Sequence, residues 1–166
     1  VPDACYYVDT VWIDGVVSTD LMQHRPSASA QTGDSLLYTF SNITDDHIVD
    51  AHFAPITYPI TTIAEGNGQI TGEVVSGVAQ CGDALSFTIT PDDCYVISQI
   101  SYNGEALADY SLDEHGATTI SVVSLDGPVE LIAKFERITF SVVETVPQHG
   151  SLTYPAAEMG CGENFD

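Results

Sequence analysis

One stretch of this chain occurs more than once, and that constrains the fold more than any bulk property. Residues Cys81 to Gly104 read CGDALSFTITPDDCYVISQISYNG. The opening segment VPDACYYVDTVWIDG lies over TPDDCYVISQISYNG, placing Cys5 over Cys94, Tyr6 over Tyr95 and Asp14-Gly15 over Asn103-Gly104. The closing segment GCGENF, from Gly160 to Phe165, lies over QCGDAL. Cys94 follows Cys5 by 89 residues, whereas Phe135 follows Phe53, and Ile138 follows Ile56, by 82. The difference falls in a polar stretch, where insertions are tolerated. A period this long exceeds a solenoid unit and suits a small β domain in tandem. It predicts a C-terminal part of one repeat at 1–55, a complete repeat at 56–137 and the N-terminal part of a third at 138–166.

The local pattern is that of strands. Ala84 to Thr90 is rich in Phe, Ile and Thr, Thr90-Pro91-Asp92-Asp93 is turn chemistry, Tyr95 to Tyr102 is a second strand, and Asn103-Gly104 is a tight hairpin signal. Further strands are predicted at Thr57 to Ile63, in Gln69 to Val78, at Thr118 to Val123 and at Val129 to Phe135. Leu36 to Phe53 should give two more around Thr44-Asp45-Asp46. No amphipathic helical period competes. The polar stretches at Ser18 to Gln23 and Glu105 to Tyr110 leave room for one short helix. The fold class is therefore all-β, as tandem small domains with little helix. The strand faces predict a core of Tyr6, Val8, Val11, Ile13, Phe40, Ile43, Phe53, Ile63, Phe87, Ile89, Tyr95, Ile97, Ile100, Leu131 and Phe135. This register places a bulge near Asp9-Thr10.

The segments YPITTIAEGNGQI (Tyr58 to Ile70), FTITPDDCYVISQISYNG (Phe87 to Gly104) and YTFSNITDDHIVDAHF (Tyr38 to Phe53) recur in order. Together they resemble the divergent internalin-type B-repeat family of bacterial surface proteins, and the resemblance covers nearly the whole chain. It implies a β-grasp- or sandwich-like module strung in tandem in secreted or cell-surface proteins, acting as stalk, spacer or adhesive array. It implies no catalytic residue. The chain departs from the family pattern at Cys5 and Cys94, where relatives usually carry Gly before the Tyr.

Composition narrows the function. The chain has 24 acidic residues against 3 basic ones, a net charge of −21. Such a surface repels nucleic-acid phosphates and anionic membranes, and attracts cations. No apolar run approaches the ~20 residues that cross a bilayer. The chain opens at Val1, without Met or a secretory signal pattern, which reads as a mature product or a fragment.

Chemistry-bearing motifs are sparse. His24, His47, His52, His115 and His149 are scattered, and neither a GxSxG elbow nor an HExxH motif occurs. The expectation is no enzyme, no catalytic residue, no metal site and no cofactor. At most, Asp45-Asp46 and Asp92-Asp93 would lend weak Ca²⁺ binding, since no DxDxDG loop exists. Asn42-Ile43-Thr44 fits a glycosylation acceptor, although turn chemistry accounts for it. Trp12 points away from the predicted core, which suits either a contact surface or stacked sugar, or a Trp covered by the adjacent polar loop.

Four cysteines at repeated positions suggest disulfides and an oxidising, extracellular compartment. They sit singly and form no CxxC pair, which disfavours zinc. A bond from Cys81 to Cys94 would have to span Ala84 to Thr90, roughly 23 Å of strand at about 3.3 Å per residue. A disulfide needs Cα atoms within about 7 Å. Pairing between repeats, Cys5 with Cys81 and Cys94 with Cys161, fits better.

The leading functional expectation is a structural module of a secreted or cell-surface tandem-repeat protein, forming a stalk, an adhesin array or a head-to-tail fibre. Its partners would be neighbouring repeats or copies of itself, head to tail, with a surface glycan or protein as a further partner. The alternative is a carbohydrate-binding accessory module using Trp12 and surface tyrosines.

Overall fold

The computed structural model describes residues 1–19, 36–141 and 158–163. Among these the chain is strand and turn almost throughout. The strands are β1 (Tyr6–Ile13), β2 (Val16–Val17), β3 (Val49–Pro55), β4 (Thr57–Glu65), β5 (Gly68–Gly72), β6 (Ser76–Gln80), β7 (Leu85–Pro91), β8 (Tyr95–Tyr102), β9 (Glu105–Ala106), β10 (Thr118–Val122), β11 (Val129–Arg137), β12 (Thr139–Ser141) and β13 (Glu158–Gly160). They form sheets ordered β2-β1-β3, β10-β7-β5, β6-β4-β11-β8-β9 and β12-β13. The contacts divide the chain into two compact units. One comprises Val1–Ile60, Ser76–Leu85 and Val122–Val129, and the other Thr61–Val75, Ser86–Ser121 and Glu130–Asp166.

In the first unit, β1 is held between its hairpin partner β2 and the antiparallel β3. The register slips between Val8 and Thr10, a bulge centred on Asp9. Val8 and Val11 thereby both face inward, with Ile13 and Leu36 packed against them. Ile56, Tyr58, Ile60, Ala79, Leu85, Leu125 and Val129 are buried as well. In β4, Tyr58 and Ile60 alternate with exposed neighbours, as expected of a strand with one buried face.

The second unit repeats the device. β8 pairs with β11, and the register slips between Lys134 and Phe135 opposite Ile97 and Gln99. Ser98, the counterpart of Asp9, takes the bulge, so Ile97 and Ile100 both turn inward. Phe87, Ile89, Ile100, Leu131 and Ala133 are completely buried. β5 lies over Phe135 so closely that a Cβ on Gly68 would come 2.4–2.6 Å from its ring. Only glycine admits that approach.

The tight turns match between the copies. Asp14-Gly15 has φ of 52° and 78°, and Asn103-Gly104 has 49° and 83°. Paired positive φ values are what an Asx-Gly hairpin turn supplies. Beyond each turn a side-chain oxygen pins the next strand. Asp14 Oδ1 accepts from the Ile48 amide, and Asn103 Oδ1 from the Glu130 amide, at 2.8 and 2.7 Å.

Several sequence expectations need correction. Val8, Val11, Phe87, Ile89, Ile97, Ile100, Leu131 and Phe135 are buried as expected. Ile13, Phe40 and Tyr95 are only partly buried. Tyr6, Ile43, Phe53 and Ile63 are exposed. Ile63 has the wrong parity, because β4 already turns Tyr58 and Ile60 inward. Phe53 matches Phe135, but among the described residues no counterpart of β5 lies over it. Tyr6 borders the same open cleft, lined by Val1, Pro2, Asp3, Tyr6 and Phe53.

Ile43 matches Leu125, which is 1% exposed against 64% for Ile43. Leu125 exchanges backbone hydrogen bonds with the turn at Gly82 and Asp83, and no such turn meets Ile43 among the described residues. Of the two strands expected in Leu36 to Phe53 the first, matching Tyr38 to Ser41 with Thr118 to Val123, is absent. Its counterpart β10 is held by β7, and no counterpart of β7 stands beside residues 38–41 among the described residues. Glu105 and Ala106 form β9 rather than part of a helix. Most of the stretch from Ser18 to Gln23 lies outside the described residues.

Candidate functional site

The strongest structural signature is built twice, once around each pair of cysteines. Its first element is a turn whose third residue is the cysteine. The Tyr6 amide donates to the Asp3 carbonyl at 3.1 Å, and the Tyr95 amide to the Asp92 carbonyl at 3.0 Å. Cys5 and Cys94 occupy the third positions with φ of 65° and 68°. That left-handed conformation disfavours side chains and suits glycine, which explains why the B-repeat pattern carries Gly there. The second element is a turn whose second residue is a cysteine and whose third is a glycine. The Asp83 amide donates to the Gln80 carbonyl and the Glu163 amide to the Gly160 carbonyl, each at 3.1 Å. Gly82 and Gly162 have φ of 88° and 80°. The acidic side chain then closes the turn. Asp83 Oδ2 accepts the Gln80 amide at 2.8 Å, and Glu163 Oε2 the Gly160 amide at 3.0 Å.

One backbone residue threads between the two turns. The Ile56 amide donates to the Cys5 carbonyl, and the Ile56 carbonyl accepts from the Cys81 amide, at 2.8 and 2.9 Å. Ile138 does the same between Cys94 and Cys161, at 2.8 Å on both sides. The structure brings the cysteines together across this residue. Disulfides join Cys5 to Cys81 and Cys94 to Cys161, with Cα separations of 5.2 and 5.3 Å. No described cysteine is free, so none is available as a metal ligand. Each bond bridges the turn before a strand, β1 or β8, to the turn that follows a later strand, β6 or β13.

The two copies differ in what covers the cysteine-glycine turn. At the first, the Gly82 amide donates to the Leu125 carbonyl at 2.7 Å, and the Leu125 amide returns to the Asp83 carbonyl at 2.8 Å. The second uses charge. Arg137 donates from Nη1 to Glu163 Oε1 at 2.7 Å and from Nη2 to the Cys161 carbonyl at 2.8 Å. The Gly160 amide, and then Arg137, hold the Glu163 carboxyl below its ordinary range. Gly160 makes this route passable, since a Cβ there would lie 2.6–2.9 Å from the guanidinium. Sequence reading missed both coverings. The signal that carries the second is a lone Arg at a repeat boundary of a chain nearly devoid of cations.

The other candidate residues do not converge. Trp12 lies in the middle of the β2-β1-β3 sheet, opposite Val17 and Asp50, and is half-buried. His47 Nδ1 bonds Asp14 Oδ2 at 2.8 Å and stacks on Phe40. His52 bonds Asp9 at 3.3 Å, and exposed His115 stands 3.9 Å from Glu114. His24 and His149 lie outside the described residues. The Ile48 amide, then His47, lowers the Asp14 pKa, and the Ala117 and His115 amides lower that of Asp113. Asp45, Asp46, Asp92 and Asp93 are exposed. Among the described residues no three His, Cys, Asp or Glu side chains gather as a metal site. Asn42 adopts φ of 54°, a turn conformation. No helix among the described residues is long and apolar enough to cross a membrane.

An all-β chain in which one motif recurs, closed at each recurrence by a disulfide, defines a β-repeat protein. Residues 58–139 match the family model described as the divergent InlB B-repeat domain, and this segment belongs to that family. The match runs from the second residue of β4 to the first of β12. No curated protein and no solved structure matches the chain.

Proposed function

We propose that this chain is a structural spacer of an extracellular or cell-surface repeat protein, a stalk in which successive B-repeats are clasped covalently. The observation that carries this reading is the duplicated clasp, two disulfides in one local geometry at equivalent positions. Disulfides persist in oxidising compartments, which favours an extracellular setting over the cytosol. The acidic surface suits a solvated stalk whose neighbours do not aggregate. In this reading the protein catalyses no reaction and needs no cofactor. Its partners are like repeats, and the open cleft at Tyr6 and Phe53 is where an equivalent half-repeat docks.

Labelling of the native protein tests this reading. Antibodies to the chain should stain the surface of intact source cells or the medium, and thiol alkylation should find no reactive cysteine before reduction. Staining confined to lysed cells, together with alkylatable cysteines, would refute it. Saturable glycan binding lost in Trp12→Ala would replace it with the carbohydrate-binding alternative.

A further inference from the structure

The disulfides do more than tie turns together, because of where they lie along the chain. Cys5–Cys81 encloses a separation of 76 residues and Cys94–Cys161 one of 67. The two loops neither overlap nor nest. Tension applied between the ends of the chain follows the shortest covalent route. That route runs from Val1 to Cys5, crosses to Cys81, continues to Cys94, crosses to Cys161 and leaves at Asp166. Everything from Tyr6 to Gln80 and from Tyr95 to Gly160 hangs off the route as closed loops.

We propose that the paired disulfides make this module a tether of fixed maximum length, in which β7 alone among the strands carries the tension. β7 is the only strand between Cys81 and Cys94. Its inward face is deeply buried, with Leu85, Phe87 and Ile89 at 5%, 0% and 0% exposure. It occupies the middle of its sheet, between β10 and β5. Five consecutive pairs, from Gly68↔Pro91 to Gly72↔Phe87, hold it to β5. A force entering at Cys81 and leaving at Cys94 pulls on the two ends of this strand along its axis. Its ladder hydrogen bonds are then loaded together in shear rather than opened one at a time. If β7 yields, the chain lengthens only by the slack between Cys81 and Cys94. The inference rests on the disulfide topology and not on the extracellular assignment, so either can fail without the other.

The chain has 22 peptide steps on the bridged route, which with two Cα–Cα crossings allow about 90 Å of extension at roughly 3.5 Å per step. The fully reduced chain allows about 580 Å on the same basis. Single-molecule pulling through handles fused before Val1 and after Asp166 reads this directly. The expected result is a final tether length near 90 Å without reductant, rising six- to sevenfold in a reducing phosphine. The double variant Cys5→Ser/Cys81→Ser should stop at about 350 Å, and Cys94→Ser/Cys161→Ser at about 320 Å. Phe87→Ala should lower the force of the first rupture and leave the unreduced final length unchanged. Unreduced molecules that extend beyond 300 Å, or equal lengths with and without reductant, would overturn the proposal. An unchanged rupture force in Phe87→Ala would overturn the assignment of tension to β7.

Discussion

Cys5 combines two features whose energies have opposite signs, and substitution can separate them. Its disulfide with Cys81 closes a loop of 76 residues. On the chain-entropy model such a loop contributes about 4.5 kcal/mol, at the upper end of measured disulfide effects. Its φ of 65° opposes this, since a left-handed non-glycine residue costs about 1–2 kcal/mol. Two double variants, Cys5→Ala/Cys81→Ala and Cys5→Gly/Cys81→Ala, both lack the bond and differ only at the strained position. Both should be less stable than the parent by about 3–5 kcal/mol. The glycine version should be the more stable of the pair by about 1 kcal/mol, the relief of the left-handed strain less the extra entropy glycine loses on folding. Urea unfolding followed by Trp12 fluorescence measures this, because the chain's one Trp sits on β1, the strand that begins at Tyr6. With a slope of about 1–3 kcal/mol/M, the glycine variant's midpoint should lie roughly 0.3–1 M higher. Equal midpoints, or a lower one for glycine, would mean that Cys5 is not held in the left-handed region and that the physical reason given for the family's glycine is wrong.

Three further outcomes follow from named contacts. Phe87→Ala should cost about 3–5 kcal/mol in urea unfolding, because the ring is completely buried; a loss below 1 kcal/mol would contradict the register of β7. Glu163→Gln should narrow the pH dependence of stability. The Glu163 carboxyl is depressed below its ordinary value of 4.5, so its contribution is present above that value and fades as pH falls through the lower folded value. The gap between parent and variant should therefore be open at pH 7 and close as pH falls below the ordinary carboxylate range, with no gap at pH 7 counting against the Arg137 clasp. Phe53→Ser should weaken any self-association seen by light scattering, leaving Trp12 fluorescence native-like; association that is indifferent to Phe53 would remove the cleft from the docking reading.

Much of the fold was legible because two periodic signals coincide, a strand period of two and a repeat that recurs after more than eighty residues. The strand at Tyr95 to Tyr102, the bulge after Val8 and the Asx-Gly turns all follow from those signals. Burial was less legible where it depends on a neighbour distant in sequence. Phe53 and Phe135 share a motif position, yet among the described residues a glycine strand, β5, caps Phe135 and none caps Phe53. Ile43 and Leu125 likewise share a position, and among the described residues only Leu125 meets a cysteine-glycine turn. A single sequence shows that two positions are equivalent. It does not show whether the covering element is present for both. The expectation of a strand at Tyr38 to Ser41 failed for that same reason.

The two clasps show what the repeat preserves and what it leaves free. The backbone frame is shared: a turn placing cysteine in the left-handed region, an isoleucine threaded between two cysteines, and an acidic side chain closing the second turn. Each part satisfies backbone groups that would otherwise lose their partners at the boundary between one strand pair and the next. The covering differs, an apolar side chain with two backbone hydrogen bonds at Leu125 and a charge-assisted pair at Arg137. Either solution meets the same geometric need, so the two copies differ there while the cysteines, isoleucines and glycines are the same. A covalent bond contributing about 2–5 kcal/mol holds the turns in register whichever contact covers them. Recognition of this architecture therefore comes from the frame, and the individual character of each junction, including its response to acid and salt, comes from the covering residue.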